Sequence, residues 1–177
     1  GDSWRQLCEC QDVDIVYICT DWRSHVPMAL HAMESGKHVA LEVPAAMTLD
    51  EIWALVDMAE KTRRHCIMME NCIYDSFEMS TLAMVRAGVF GEIVHVEGAY
   101  HHCLDKQWPD WRLEYNRDSR GDLYPTHGIG PVGMALDIHR GDRMKTLISM
   151  DTDSFNGRKI YERTLGECEA FLNADQT

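Results

Sequence analysis

The chain has 177 residues, 45% apolar and 26% charged, the mixture of an ordinary globular protein able to bury a core. A formal net charge of −12 argues against nucleic acid or anionic membrane as a partner, because phosphate recognition needs a basic surface. No apolar run reaches the ~20 residues that span a bilayer, and the opening Gly1-Asp2-Ser3-Trp4 has neither the basic nor the apolar region of a signal peptide, so no compartment is assigned.

Residues 4–10 read as the tail of a helix. Residues 13–19 (V-D-I-V-Y-I-C) form a nearly continuous β-branched and aromatic run, which suits a strand covered on both faces. A polar loop over residues 20–25 follows. Val26, Leu30 and Met33 then fall at helical spacing from Ser24, with Pro27 in the first turn and Gly36 as the stop. A short strand is expected over residues 38–42. Thr48-Leu49-Asp50-Glu51 is a capping box, with Ile52, Leu55, Val56 and Ala59 as the apolar stripe behind it. Residues 66–69 make a third strand that ends in Glu70-Asn71.

Strand and helix alternate here as in βαβ units, which predicts a parallel sheet with right-handed crossovers. In such sheets ligands bind beyond the carboxyl ends of the strands. The residues at those ends are Thr20, Trp22, Arg23, Ser24 and His25, then Glu42 and Val43, then Glu70 and Asn71. One by one they read as helix decoration or solvated loop. Three polar strand ends together point to a ligand site.

Beyond residue 74 the pattern changes. Asp75-Ser76-Phe77-Glu78 offers a second cap, and a helix runs to Gly88. Residues 92–102 alternate, which places Tyr100 and His102 on one face at a strand end. Residues 103–123, with Trp108, Trp111 and Arg112, read as a long polar loop and hence a functional one. Tyr124-Pro125-Thr126-His127-Gly128 then opens a helix expected to run to about residue 140. Pro125 suits the first helical position, His127 lies in the first turn, and the glycines behind it allow close approach to the backbone. Strands are expected near residues 144–150 and 159–165. Seven cysteines, only Cys8 and Cys10 closely spaced, predict reduced thiols and no disulfide framework. A zinc site from His101, His102 and Cys103 is disfavoured because neighbouring strand residues point to opposite faces, so no metal is expected.

The segments V-D-I-V-Y-I-C-T, G-K-H-V-A-L-E-V-P-A-A and V-F-G-E-I-V-H-V-E-G-A-Y resemble the glucose–fructose oxidoreductase/inositol dehydrogenase superfamily. More narrowly, E-V-P-A-A, M-M-E-N-C, G-A-Y-x-H and Y-P-T-H-G-x-G-P resemble the NAD-dependent α-N-acetylgalactosaminidases of glycoside hydrolase family 109, over roughly residues 12–150. The resemblance implies an α/β fold. Residues 1–74 would be the C-terminal half of a Rossmann-type parallel sheet, and residues 75–177 the start of an α/β substrate domain with an open, mainly antiparallel sheet.

It also implies NAD as cofactor, held by Thr20, Trp22, Arg23, Ser24, His25, Glu42, Val43, Glu70 and Asn71. Asp21 stands where the family usually has Pro. Val43 stands where most superfamily dehydrogenases carry a Lys, which disfavours an ordinary sugar dehydrogenase. Tyr100, Tyr124 and His127 would be catalytic. Tyr100, His102, Arg112, Tyr124, Pro125, Thr126 and His127 would bind a sugar or glycan terminus. The resemblance further allows self-association as a homo-oligomer through the second domain's sheet.

In the family's reaction, NAD takes hydride from sugar C3, the acidified C2 proton is removed, and the C1 substituent is eliminated. Water then adds and the hydride returns. Such a cycle needs Tyr/His acid–base groups rather than the paired carboxylates of ordinary glycoside hydrolysis. Tyr100 is the expected base and His127 the partner of the sugar hydroxyls. The alternatives are an NAD(P)-dependent sugar oxidoreductase of the same superfamily and a non-catalytic sugar-binding module. No G-x-G-x-x-G fingerprint, which would sit on the first strand-to-helix turn and hold the pyrophosphate, is expected in these residues. The first mononucleotide-binding half and part of the substrate domain are therefore expected outside these residues, with weak NAD binding and an exposed edge at residues 13–19 in this chain alone.

Overall fold

The computed structural model describes residues 3–101, 110–120, 124–153 and 155–174. It divides into two compact units, Gly1–Tyr74 and Asp75–Thr177. The first runs α1 (Ser3–Glu9), β1 (Ile15–Ile18), α2 (Trp22–Glu34), β2 (His38–Leu41), α3 (Leu49–Thr62) and β3 (Cys66–Met68). The three strands are parallel in the order β1-β2-β3, with Val16 opposite Val39 and Val39 opposite Cys66. The alternation of elements thus gives the parallel α/β sheet it predicts.

The core is one cluster in which Val16, Ile18, Val39 and Leu41 from the strands meet Val26, Ala29 and Met33 of α2 and Leu55 of α3. Burial of each such side chain contributes roughly 1.5–3 kcal/mol. The other face differs from the expectation of cover on both sides: Ile15 is 58% and Tyr17 52% exposed. A continuous apolar run shows that both faces of a strand can be buried. The described residues supply only one covering layer, and β1 lies at the edge of the sheet.

Local chemistry sets the helix ends. α2 begins at Trp22, two residues before the expected Ser24, because Asp21 caps it. The Asp21 carboxylate accepts the Arg23 N–H at 3.1 Å and the Ser24 hydroxyl at 2.7 Å, satisfying donors that have no partner inside the helix. At its other end Ser35, Gly36 and Lys37 donate backbone N–H groups to His31, Met33 and Ala32, with Gly36 at φ +82°. The predicted capping box forms: Thr48 accepts the Glu51 N–H at 3.2 Å, and the Glu51 carboxylate accepts the Thr48 N–H at 3.1 Å. The buried Lys37 ammonium donates to the Cys10 carbonyl at 2.6 Å, tying the exit of α1 to the start of β2.

The second unit contains α4 (Ser76–Arg86), α5 (Asp110–Asp118), α6 (Pro125–Ala135) and α7 (Phe155–Ala174). Four expectations are corrected here. The loop expected at 103–123 contains α5. The strand expected at 159–165 lies in α7, where the part-buried residues Gly157, Ile160, Tyr161 and Thr164 have helical spacing. α6 stops at Ala135, short of residue 140, because Asp137 and His139 adopt positive φ and cannot continue a right-handed helix.

The expected antiparallel sheet is the fourth. Residues 92–101 and 143–150 are neither paired nor, for the most part, covered, and the isolated Ile138–Asp142 bridge is the only β contact among the unit's described residues. Period-2 alternation states which side of a strand is apolar, but it supplies no neighbour to complete a hydrogen-bond ladder. No helix described is long and apolar enough to cross a membrane.

Candidate active site

α6 carries the centre of the second unit's site. Pro125 takes the first helical position, so its missing N–H costs the helix nothing. His127 follows in the first turn, and its backbone N–H donates to the Tyr124 carbonyl at 3.0 Å. The imidazole is buried, packed between two phenol rings. Tyr124 stacks on it with an interplanar angle of 6° and centroids 5.0 Å apart. Tyr100, from the extended segment before α5, meets it edge-on at 4.5 Å. The two tyrosines contact each other at 5.7 Å in a T-shaped arrangement. Both geometries suit the quadrupoles of aromatic rings, and each contact restricts the imidazole plane.

This packing depends on a close backbone crossing. A Cβ built on Gly98 would lie 2.1 Å from the Gly128 carbonyl oxygen and 2.9 Å from Cγ2 of Val132. Only hydrogen fits there. The segment that carries Tyr100 therefore rests directly on the backbone of the α6 turn that carries His127. Gly128, itself buried, is less constrained, since a Cβ there would meet Gly98 at an ordinary 3.5 Å.

Arg112 enters from α5. Its guanidinium lies 5.3 Å from the centroid of the Tyr124 ring, an attraction between cation and π-face. α5 is in turn held to its neighbours: Leu113 and Asn116 are buried, the Arg117 guanidinium lies 4.9 Å from the Tyr161 ring of α7, and Arg120 pairs with Asp153 at 3.2 Å. Thr126 lies on the first turn of α6, half-buried, with a shielded hydroxyl oxygen. Tyr100, Tyr124, His127 and Arg112 are thus brought together as the sequence suggested. His102 lies outside the described residues, as does Trp108.

In the first unit the three parallel strands end on one side, as the sequence required, but the named residues divide. Thr20 and Arg23 are exposed at the start of α2. Trp22 and His25 face inward. His25 is fully buried, with Nδ1 2.8 Å from the Pro44 carbonyl and Nε2 3.3 Å from the Thr20 carbonyl. Both carbonyls are acceptors, and the bond to Pro44 is the shorter of the two. Ser24 is spent on the Asp21 cap.

Glu42 accepts a short hydrogen bond from the Tyr17 hydroxyl, and this bond pushes the Tyr17 phenol above its ordinary range. Val43 is buried beside it. Glu70 accepts the Cys72 N–H at 3.0 Å, and Asn71 is exposed. Tyr17 is not legible as a strand-end group from sequence, because it sits within β1, where the continuous apolar run reads it as core.

The residues present fit part of a dinucleotide. A capped helix N-terminus, an exposed hydroxyl and an exposed guanidinium lie at the carboxyl end of a parallel sheet, where such ligands bind. Gly128-Ile129-Gly130-Pro131-Val132-Gly133 does have the G-x-G-x-x-G spacing. It lies within α6 rather than at a strand-to-helix turn, and Pro131 stands inside that helix, so it is not a pyrophosphate loop.

Residues 2–70 match the family described as oxidoreductase family, NAD-binding Rossmann fold, and residues 105–173 match glycosyl hydrolase 109, C-terminal domain. A "Glycosyl hydrolase family 109 protein" of Porphyromonas gingivalis is 58% identical over 181 residues, covering 99% of this chain and 39% of that protein. A "Glycosyl hydrolase family 109 protein 1" of Bacteroides fragilis is 57% identical with the same coverage. The chain thus spans about two-fifths of the length of these curated relatives. Among solved structures, an oxidoreductase domain protein from Kribbella flavida aligns with a TM-score of 0.64 and 27% identity, over 76% of this chain and 38% of that one. These likenesses support the glycosyl hydrolase 109 family and the Rossmann-type oxidoreductase superfamily, with NAD as the cofactor of the first unit's family.

Proposed function

We propose that these residues form part of a family 109 glycosyl hydrolase that removes terminal α-N-acetylgalactosamine with NAD held through the catalytic cycle. The observation that carries the reading is the cluster of Tyr100, Tyr124 and His127, with Arg112 over the Tyr124 ring. Two phenols, an imidazole and a guanidinium form an acid–base and hydroxyl-binding set. NAD, when bound, supplies a reversible hydride acceptor for the sugar C3 position. Thr20 and Arg23 are the exposed groups at the start of α2 suited to hold it, with Asn71 after β3.

Within this reading Tyr100 removes the proton from C2, whose acidity is raised while C3 is a ketone. His127 holds the sugar hydroxyls and moves the C3–OH proton, its ring fixed between the two phenols. Arg112, paired with the face of Tyr124, binds polar groups of the sugar. Val43, buried at the end of β2, brings no proton-transferring group to that strand end. This favours a hydrolase over a dehydrogenase that releases NADH.

The test is twofold. The complete protein of which these residues are part should hydrolyse an aryl α-N-acetylgalactosaminide without added NAD and without net NADH formation, whereas residues 1–177 alone should be inactive. Tyr100→Phe should slow exchange of the C2 hydrogen with solvent deuterium by roughly 10²–10⁴-fold, the usual contribution of a positioned base. Undiminished exchange in Tyr100→Phe would remove Tyr100 from the role. Steady NADH accumulation with a free sugar would replace the glycosidase reading by a sugar dehydrogenase.

A further inference from the structure

We propose that Gly98 is a positioning residue of this site: by having no side chain it sets the distance between Tyr100 and His127. The proposal rests on the reading above only in taking those two rings as the acid–base pair. The geometry is specific. Tyr100 is two residues beyond Gly98 on one extended segment, and His127 immediately precedes Gly128 on α6. The two segments cross where a Cβ at position 98 would lie 2.1 Å from the Gly128 carbonyl oxygen and 3.0 Å from its carbon. The clash is with backbone, so no rotamer change relieves it. Non-bonded carbon and oxygen stand about 3.3 Å apart at their closest, even in C–H···O contacts. An alanine must therefore open the crossing by about 1 Å, and that displacement reaches the Tyr100–His127 contact, now 4.5 Å between centroids.

A shift of this size in an acid–base pair costs about 10²-fold in rate when substrate binding is otherwise retained. Position 98 is thus predicted to act on kcat and little on KM. Among the described residues, Gly88, Gly91 and Gly141 have open space where a Cβ would stand and do not share the constraint. A Cβ at Gly133, on the same helix, meets only Ile138 Cβ at 4.0 Å.

The experiment compares the parent protein with Gly98→Ala and with Gly133→Ala as the control. Two quantities are read, one independent of activity. The first is the ring-current-shifted imidazole C–H signal of His127 in the proton NMR spectrum, assigned by its loss in His127→Gln. The second is kcat and KM on the aryl glycoside.

The expected result is that Gly98→Ala moves the His127 signal toward its position in Tyr100→Ala. Its kcat falls by about 10²-fold with KM within a few-fold, while Gly133→Ala matches the parent in both. An unmoved signal, or a moved signal with unchanged kcat, overturns the proposal. A moved signal in a protein that hydrolyses no glycoside sustains the positioning geometry and defeats the glycosidase reading instead. Should Gly98→Ala fail to fold, Val132→Ile drives a smaller wedge into the same crossing from the helix side. It is expected to move the same signal and lower kcat, and a parent-like result overturns the proposal.

Discussion

Replacing His25 by leucine tests what this histidine does at the end of the first strand–helix unit. The side chain is fully buried, and its Nδ1 donates to the Pro44 carbonyl at 2.8 Å. Leucine is close in volume and removes the donor, which leaves the carbonyl without that bond. An orphaned acceptor of this kind costs about 1–3 kcal/mol. The second contact, Nε2 to the Thr20 carbonyl, is longer at 3.3 Å and adds less. The expected loss is about 2 kcal/mol, which for a unit the size of Gly1–Tyr74 is a fall in melting temperature of roughly 8–16 °C.

His25→Asn, whose amide N–H reaches toward the same carbonyl, should recover a good part of it. The assay is urea unfolding followed by tryptophan fluorescence, with Trp4, Trp22 and Trp53 in the first unit. Dinucleotide affinity measured on the same variants should fall in proportion to the loop's loss of order rather than vanish, because the ring has no exposed surface with which to touch a ligand. If leucine leaves stability within about 0.5 kcal/mol of the parent, or asparagine is no better than leucine, the bracing role is wrong.

Two further outcomes follow from the same unit. Thr48→Ala removes the hydroxyl of the capping box and should cost about 1 kcal/mol, with Thr48→Ser near the parent; equal losses for both in urea denaturation would show that the cap bond is not what stabilises α3. The Tyr17 phenol is held above its ordinary range by its bond to Glu42, so the stability it brings is fully present below about pH 10 and is lost as pH rises through the raised folded value. The stability difference between the parent and Tyr17→Phe should therefore be constant near neutral pH and shrink at strongly alkaline pH; a difference that grows there contradicts the assignment.

Much of this architecture is legible from sequence, for a local reason in each case. The capping box at Thr48 and Glu51, the glycine stop at Gly36 and the proline start at Pro125 are decided by residues within a turn of one another. Spacing alone reveals them. The parallel sheet follows from alternating β-branched runs and amphipathic stripes. Its strand ends are then where a ligand is expected.

Other features needed the chain folded. Asp21 caps α2, ahead of the start expected at Ser24, because its carboxylate reaches two donors at once. His25 turns away from the ligand side because the Pro44 carbonyl, nineteen positions later, claims it. The alternating segments at 92–101 and 143–150 form no strand ladder among the described residues, since a strand's neighbour is not encoded in its own period.

The site shows the same division. Tyr100, Tyr124 and His127 could be named from their motifs. That the rings touch, and that the contact rests on the missing side chain of Gly98 against the backbone of Gly128 thirty positions later, is decided by backbone sterics at a tertiary crossing. A glycine in a sequence states only that a side chain is absent. Only the fold states what that side chain would have struck.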